Sequence, residues 1–179
     1  MRPHTLFIQS QVLAWQDGAS AGRPGTQVKI LSSDPDSGAA TMLMRYPPGY
    51  DAIDSCIEPA EEILLLDGCL TINEQHLVNL SYARLPRRWP RQRLASSNGA
   101  VALTMFEAAP RVTNDPAAHG PIDPVLLSDM GHDGLEGWVA NPYTRYLMGT
   151  GVRPLFENPD TGEISILYSA LPVSYTHLT

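Results

Sequence analysis

The sequence predicts an all-β protein that contains a repeated strand, turn and strand. Glycine (14 residues) and proline (16 residues) together make up about one sixth of the 179 residues, a frequency that disfavours long helices. Hydrophobic residues make up 43% of the chain and charged residues 17%, which is enough apolar material for a packed core. Short apolar runs between turn residues complete the pattern, which is typical of sandwiches and barrels.

The first strands belong to an internal repeat with an offset of 124 residues. Residues 25–48 align with residues 149–172, and nine of the 24 aligned positions are identical, where unrelated sequences would share roughly one or two. Asp-Pro-Asp-Ser-Gly at 34–38 and Asn-Pro-Asp-Thr-Gly at 158–162 carry the proline and glycine that tight turns require. Because a β-prone stretch follows each turn, the repeat predicts the same hairpin twice.

Further stretches predict strands in the first half of the chain. Two apolar runs flank Asp67-Gly68, which is a strong hairpin signal, and residues 77–85 and 101–106 are β-prone. Because alternate residues of a strand face the same side, one set of apolar positions should form the core. That set is predicted to include Leu43, Ile63, Leu65, Val101 and Leu103.

The repeat also predicts the domain organisation. We expect a first domain over residues 1–109, a linker over 110–141 and the start of a second repeat over 142–172. The linker is predicted because proline and turn residues crowd its first half. The second repeat is expected to be incomplete, and residues 173–179 resemble the non-native read-through that ends some environmental gene sequences.

Composition and charge disfavour several classes of partner. The formal charge of −7 and the pI of about 5.1 argue against nucleic acid and against an anionic membrane surface. The longest aliphatic run, residues 63–66, is far shorter than the roughly 20 residues of a membrane helix, and the first residues lack a secretory signal. We therefore expect a cytoplasmic protein in which Cys56 and Cys69 are free thiols.

The positions of several glycine, proline and acidic residues resemble the cupin superfamily. These positions are Pro48-Gly49, Glu61-Glu62, Gly68, Pro86 and Gly99. A wider pattern is similar to the ChrR-like cupins, and it consists of Trp15, Lys29-x-Leu31-x-x-Asp34-Pro35-x-x-Gly38 and Arg45-x-Pro47-Pro48-Gly49. The resemblance covers residues 10–107 and restarts in the second copy. It implies a cupin jelly-roll barrel followed by the opening strands of a second, incomplete cupin repeat.

The resemblance also implies where a metal would bind. Cupins hold one divalent metal through the motifs G-x5-H-x-H-x3,4-E-x6-G and G-x5-P-x-G-x2-H. In this chain the four ligand positions fall on Ser55, Ile57, Glu61 and Arg91. Only Glu61 keeps the residue type of the family, and a cationic Arg91 would repel a divalent ion. We therefore expect no metal or other cofactor in this part of the chain, and an ion pair between Glu61 and Arg91 in its place.

A shift of the motif by one residue offers an alternative metal site. The shifted positions are Cys56, Glu58 and Glu62, a set of sulfur and oxygen ligands that could bind zinc. A shift by one residue in a strand sends the side chains to the opposite face, however, so a barrel without metal is the preferred interpretation.

A run of arginines around Trp89 offers a second candidate site. Its members are Arg84, Arg87, Arg88 and Arg93. Guanidinium groups could bind a carboxylate or phosphate through paired hydrogen bonds. The alternative is a solvated strand and loop whose charges balance neighbouring acids.

Two functions from different classes follow from the resemblance. In the first, the chain is the N-terminal part of a two-domain ChrR-like cupin, and an oxygenase-like activity with its divalent metal lies in the missing second barrel. In the second, the first barrel is a metal-free module that binds a small ligand or regulates a transcription factor, like anti-sigma-factor members of the family. The expected partners are a small-molecule ligand and a second copy of the chain. The sequence identifies no catalytic residue, substrate or reaction.

Overall fold

The structure, a computed structural model, describes residues 8–122, 124–126, 139–140, 150–162 and 164–170. The chain divides into two compact units, residues 1–129 and 130–179. The strands of the first unit are β1 (Gln16–Asp17), β2 (Gln27–Ser33), β3 (Ala40–Tyr46), β4 (Tyr50–Ser55), β5 (Glu61–Gly68), β6 (Leu70–Ile72), β7 (Gln75–Leu77), β8 (Ser81–Leu85), β9 (Arg91–Ser96), β10 (Ala100–Phe106) and β11 (Val125–Leu126). The strands of the second unit are β12 (Val139–Ala140), β13 (Thr150–Glu157) and β14 (Ile164–Ala170).

The described helical structure is one short 3-10 helix, Gly18–Ala21. No helix within the described ranges has the length and apolar character needed to cross a membrane.

The first unit consists of two antiparallel sheets. A seven-stranded sheet has the order β1-β2-β3-β10-β5-β8-β11, and a four-stranded sheet has the order β4-β9-β6-β7. Residues from both sheets form one apolar core, in which Met44 and Ile63 come from the larger sheet and Leu70 and Leu94 from the smaller one. The first unit is therefore a two-sheet jelly roll, and the predicted all-β fold is confirmed.

The predicted core is correct for two of its five members. Ile63 and Leu65 are completely buried, but Leu43, Val101 and Leu103 lie partly exposed on the other face of the sheet. The buried residues of β3 and β10 are instead Ala40, Met42, Met44, Tyr46, Ala100, Ala102, Thr104 and Phe106. Both faces of these strands are apolar, with Leu103 paired in register to Leu43 and Leu64, so hydrophobicity alone does not determine which face turns inward.

The predicted hairpin at Asp67-Gly68 is wrong. Strand β5 ends at Gly68 in the larger sheet, whereas β6 belongs to the smaller one, so this turn carries the chain from one sheet to the other. Gly68 adopts φ 79°, and a Cβ at this position would lie 2.2 Å from the Gly99 carbonyl oxygen. Only glycine fits such a conformation and such a close backbone approach.

The predicted strand over 77–85 is two strands, β7 and β8. Leu80 between them adopts φ 66°, and the Ser81 amide donates to the Val78 carbonyl oxygen at 2.9 Å. This turn breaks the pleat that a single strand would need.

The internal repeat is confirmed in the structure of the second unit. With the offset of 124 residues, β3 (40–46) corresponds to β14 (164–170) residue by residue. The strand orders β1-β2-β3 and β12-β13-β14 also correspond. Each hairpin has an irregular register around an identical leucine, Leu31 between Ile30 and Ser32 and Leu155 between Pro154 and Phe156.

The two copies share the same turn geometry. The Asp34 side chain accepts from the Asp36 amide at 2.9 Å, and the Asn158 side chain accepts from the Asp160 amide at 3.0 Å. The glycines that close the turns adopt φ 72° and 70°. The copies therefore share their backbone as well as their sequence, because the same side-chain oxygen and the same glycine shape each turn.

The predicted linker over 110–141 needs correction at both described ends. Val112 bridges Ile57, the Ala117 amide donates to the Arg88 carbonyl oxygen at 2.9 Å, and β11 pairs with β8. Residues 110–122 and 124–126 therefore belong to the first unit, which extends past its predicted end at residue 109. At the other end β12 pairs with β13. The predicted non-native tail, 173–179, lies outside the described residues.

Candidate functional site

Glu61 and Arg91 meet in the interior of the first unit. Glu61 begins β5 in the larger sheet and Arg91 begins β9 in the smaller sheet. Both side chains are almost completely buried, at 0% and 1% exposure, and Arg91 Nη2 donates to Glu61 Oε2. The predicted ion pair is therefore present, and it ties one sheet of the barrel to the other.

Arg23 is a second partner of Glu61 that the sequence analysis missed. Its Nη2 donates to the same Oε2 at 2.7 Å, and its side chain is 1% exposed. The backbone of Arg23 is held by its amide, which donates to the Gly18 carbonyl oxygen at 3.0 Å, and by Thr26 Oγ1, which donates to its carbonyl oxygen at 2.8 Å. We call Arg23, Glu61 and Arg91 the buried triad.

Charge is unbalanced in the buried triad, because two guanidinium groups share one carboxylate. Glu61 is the one acidic residue that is buried in the described part of the chain. Desolvation by burial lowers the pKa of Arg91, and the nearby Arg23 lowers it further. For Arg23 the same desolvation is outweighed by Glu61 and Tyr46, so its pKa is raised. Arginine stays protonated in either case, and the triad carries one net positive charge.

Two tyrosines lie close to the buried triad, and a buried threonine lies on the strand beside Glu61. Tyr46 faces Arg23, and burial raises the pKa of Tyr46 to about 12. The ring of Tyr50 packs edge-on against Tyr46, with centroids 5.2 Å apart, and burial raises the pKa of Tyr50 as well. Thr104 is completely buried and lies two residues from Phe106, which pairs in register with Glu61.

Several buried polar atoms around the triad have no hydrogen-bond partner among the described residues. They are Arg23 Nε, Arg91 Nε and Nη1, Glu61 Oε1, Tyr46 Oη, Tyr50 Oη, Thr104 Oγ1 and Ser55 Oγ. An unsatisfied buried polar group costs about 1–3 kcal/mol, and more when it is charged. Buried polar atoms in folded proteins nearly always have a hydrogen-bond partner, so a water, an ion or a ligand would satisfy these atoms.

The residues at the cupin ligand positions do not fit a divalent metal. Ser55 pairs in register with Arg91, so the structure brings Ser55, Glu61 and Arg91 together as the motif spacing predicts. Ile57 is completely buried in the apolar core and offers no donor atom. Two guanidinium groups already hold Glu61 Oε2, and they would repel a metal cation. In the described ranges no three His, Cys, Asp or Glu residues form a potential metal cluster.

The residues of the alternative metal register do not form a metal cluster in the described part of the chain. Cys56 is buried, Glu58 is exposed, and Glu62 is partly exposed and accepts from Tyr82 Oη at 2.8 Å. Burial raises the pKa of the Cys56 thiol and so disfavours the thiolate that a metal requires. Cys56 and Cys69 are both free cysteines.

The predicted arginine cluster is also wrong as a single anion site. Arg87 pairs with Glu107 at 3.3 Å, Arg88 with Asp115, and Arg93 with Asp51 at 2.9 Å. Arg84 lies on β8 opposite Glu62. Arg87, Arg88 and Arg93 therefore pair with three different acids, because turns and strand pleat separate neighbours in sequence. Arg91, which lies between Arg88 and Arg93 in the sequence, is buried in the interior instead.

Comparison with known proteins identifies the fold. No protein-family model matches the chain, and no curated protein matches it either. A candidate dioxygenase from Nostoc punctiforme is similar in structure, with a TM-score of 0.71, 18% identity, and coverage of 92% of this chain and 60% of that one. This chain therefore spans about 60% of the length of that protein.

Two further solved structures are similar over a smaller part of the chain. A candidate acetylacetone dioxygenase from Methylibium petroleiphilum has a TM-score of 0.52, 14% identity and coverage of 65% of this chain and 88% of that one. A protein of unknown function with a cupin-like fold from Ralstonia eutropha has a TM-score of 0.50, 15% identity and coverage of 62% and 76%. The fold is therefore that of the cupin jelly rolls.

Proposed function

We propose that the first unit is a metal-free cupin barrel, in which the buried triad takes the structural place of a metal. The observation that carries this proposal is the pairing of Glu61 with both Arg23 and Arg91. A metal bound by side chains from both sheets would hold the two sheets together, and the Glu61 to Arg91 pair links the same two sheets.

The barrel is, in this proposal, the front domain of a larger two-barrel cupin of the ChrR-like kind, located in the cytoplasm. The repeated hairpin of the second unit supports it, as does the greater length of the similar protein from Nostoc punctiforme. An oxygenase-like activity, with its divalent metal, would then belong to a complete second barrel. Two of the similar structures are named as candidate dioxygenases, and this favours oxygenase chemistry.

A second candidate function is a metal-free module that binds a small ligand or acts as a regulator. The unsatisfied polar atoms around the buried triad favour ligand binding, because their hydrogen bonds would then be made by the ligand. The two candidates differ in whether the first barrel only supports a second domain or binds a molecule itself.

Elemental analysis of the purified chain tests the metal-free barrel. We expect substoichiometric Fe, Mn, Ni and Zn after purification and after incubation with each metal followed by desalting, and no oxygen consumption with acetylacetone. Cys56→Ser serves as a matched variant, because it removes the single sulfur ligand of the alternative register. About one equivalent of a tightly held metal per chain would overturn the proposal, and loss of that metal in Cys56→Ser would assign it to the alternative register.

A further inference from the structure

We propose that the interior of the first barrel binds one small α-hydroxycarboxylate between Arg91, Arg23 and the hydroxyl groups of Tyr50 and Thr104. This inference rests on the proposal that the barrel holds no metal, and it assigns a ligand class to the same site.

The charge of the ligand follows from the charge of the buried triad. Arg23 and Arg91 are each 1% exposed and share a single carboxylate oxygen. Because Glu61 is the single buried acid within the described residues, one positive charge stays uncompensated. A buried charge is retained at low cost only when an opposite charge accompanies it. One carboxylate group supplies that charge.

Hydrogen-bond donors around the triad indicate an oxygen ligand. Arg91 Nε and Nη1, Arg23 Nε and the hydroxyl groups of Tyr50 and Thr104 are buried without a partner in the described structure. All of these groups can donate, and carboxylate oxygens each accept two hydrogen bonds. Charge-assisted bonds of this kind are about twice as strong as neutral ones.

One acceptor in the site indicates a second group on the ligand. Glu61 Oε1 is buried and accepts no hydrogen bond from the described residues, although Oε2 of the same carboxylate accepts two. A plain carboxylate would leave Oε1 unsatisfied and would repel it. A hydroxyl group next to the ligand carboxylate can donate to Oε1, so an α-hydroxy acid satisfies both parts of the site.

Small residues occupy inward positions on the two strands beside β5, the strand that begins with Glu61. Ala100, Ala102 and Thr104 are the inward positions of β10 before Phe106, and Ala83 is an inward position of β8. Small side chains on the two strands that flank β5 favour a ligand of two or three carbons, such as glycolate or lactate.

Calorimetric titration of the 179-residue chain with glycolate, acetate and chloride tests the inference. We expect glycolate to bind with one equivalent per chain and about tenfold more tightly than acetate, since one additional hydrogen bond contributes about 1.4 kcal/mol. We expect no saturable binding of chloride. Equal affinity for glycolate and acetate would contradict the role of Glu61 Oε1, and no binding of either would overturn the inference.

Two variants and one control separate this site from the surface. Arg91→Met should abolish glycolate binding, whereas Arg93→Met, which removes an exposed arginine of the same strand, should leave it unchanged. If Arg91→Met does not fold, Thr104→Val tests the site alone: we expect glycolate affinity to fall about fivefold to tenfold through the loss of one donor. Unchanged affinity in Thr104→Val would overturn the site as placed here. Metal analysis of the same samples separates this inference from the proposed metal-free barrel. A chain that holds no metal and binds no glycolate contradicts the ligand site but leaves the metal-free barrel standing.

Discussion

Arg23 and Arg91 donate to the same oxygen of Glu61, although one lies in the turn before β2 and the other begins β9. Three separate parts of the first unit therefore meet at one carboxylate: the N-terminal turn, the larger sheet and the smaller sheet. Removal of one guanidinium leaves a neutral pair, whereas removal of the carboxylate leaves two unpaired cations. Glu61 is thus the residue on which the interior of the barrel depends most strongly.

Substitution of Gly18 by alanine should destabilise the first unit by displacing Arg23. A Cβ at Gly18 would lie 1.9 Å from Thr26 Oγ1 and 2.8 Å from the Arg23 carbonyl oxygen, so the turn that holds Arg23 must shift. We expect a loss of about 1–3 kcal/mol in the free energy of unfolding, the usual cost of overpacking. Urea unfolding measures it. Gly120→Ala is the control, since a Cβ there meets nothing within 4 Å; equal stability of the two variants would contradict the role of this turn.

Ionisation of Tyr46 should make the first unit less stable at high pH. Burial raises the pKa of Tyr46 from 10.0 to about 12, so the folded protein binds a proton that the unfolded chain has released. Stability is therefore complete below pH 10 and falls as the pH rises towards 12. The raised pKa corresponds to about 2–3 kcal/mol over this range. Urea unfolding at a series of pH values measures this effect. Between pH 10 and 12 the free energy of unfolding should fall less in Tyr46→Phe than in the wild type. An identical fall in both proteins would argue against a buried Tyr46.

The edge of the second unit should promote self-association. In the described residues β14 pairs only with β13, and Ile164 and Ile166 on this strand are 52% and 44% exposed. An exposed apolar edge is a template for pairing with another chain. We expect Ile164→Thr with Ile166→Thr to raise the fraction of monomer in sedimentation experiments. The control is Ile53→Thr, which changes an isoleucine of the first unit that is 70% exposed. An equal effect in the control would show that general hydrophobicity, not this edge, causes association.

The sequence predicts the pairing of Glu61 with Arg91 because motif spacing alone relates them. The spacing identifies equivalent positions on β5 and β9, and the barrel brings those positions together. Arg23 has no such relation to the motif. Its place depends on how the turn before β2 packs over the end of the barrel, and only tertiary structure determines this.

Two of the wrong predictions have the same cause: the sequence does not show which side of a strand faces the core. The sequence predicts Leu103 in the core and Arg93 in a shared anion site, yet both point outward. Strict alternation would also place Arg91 and Arg93 on one face, but Arg91 is buried and Arg93 is exposed. Strand β4 pairs with β9, and Ile53 and Ser55 of β4 are the register partners of Arg93 and Arg91. Asp54, between these two partners, adopts φ 48°. An irregular pleat of this kind has no clear signature in local composition.

The hydrogen-bonded turns of the repeat were predictable to the residue, in contrast. Asp34 and Asn158 are short polar residues that accept from the backbone two positions later, and such turns are encoded by local sequence. The sequence therefore predicts local turns and motif-related pairs, whereas the inward face of each strand and the position of Arg23 require the whole fold.

The coupling free energy between Glu61 and Arg91 tests the central claim, that this buried ion pair joins the two sheets of the first unit. Urea unfolding should be measured for the wild type, Glu61→Gln, Arg91→Met and the double variant. We expect Glu61→Gln, which leaves two unpaired cations, to cost about 3–5 kcal/mol, and Arg91→Met to cost less, because Arg23 still balances Glu61. The double variant should cost less than the sum of the two by about 1–3 kcal/mol. The exposed pair of Asp51 and Arg93 is the matched control, for which we expect only weak coupling. Additive costs for Glu61→Gln and Arg91→Met would contradict the claim.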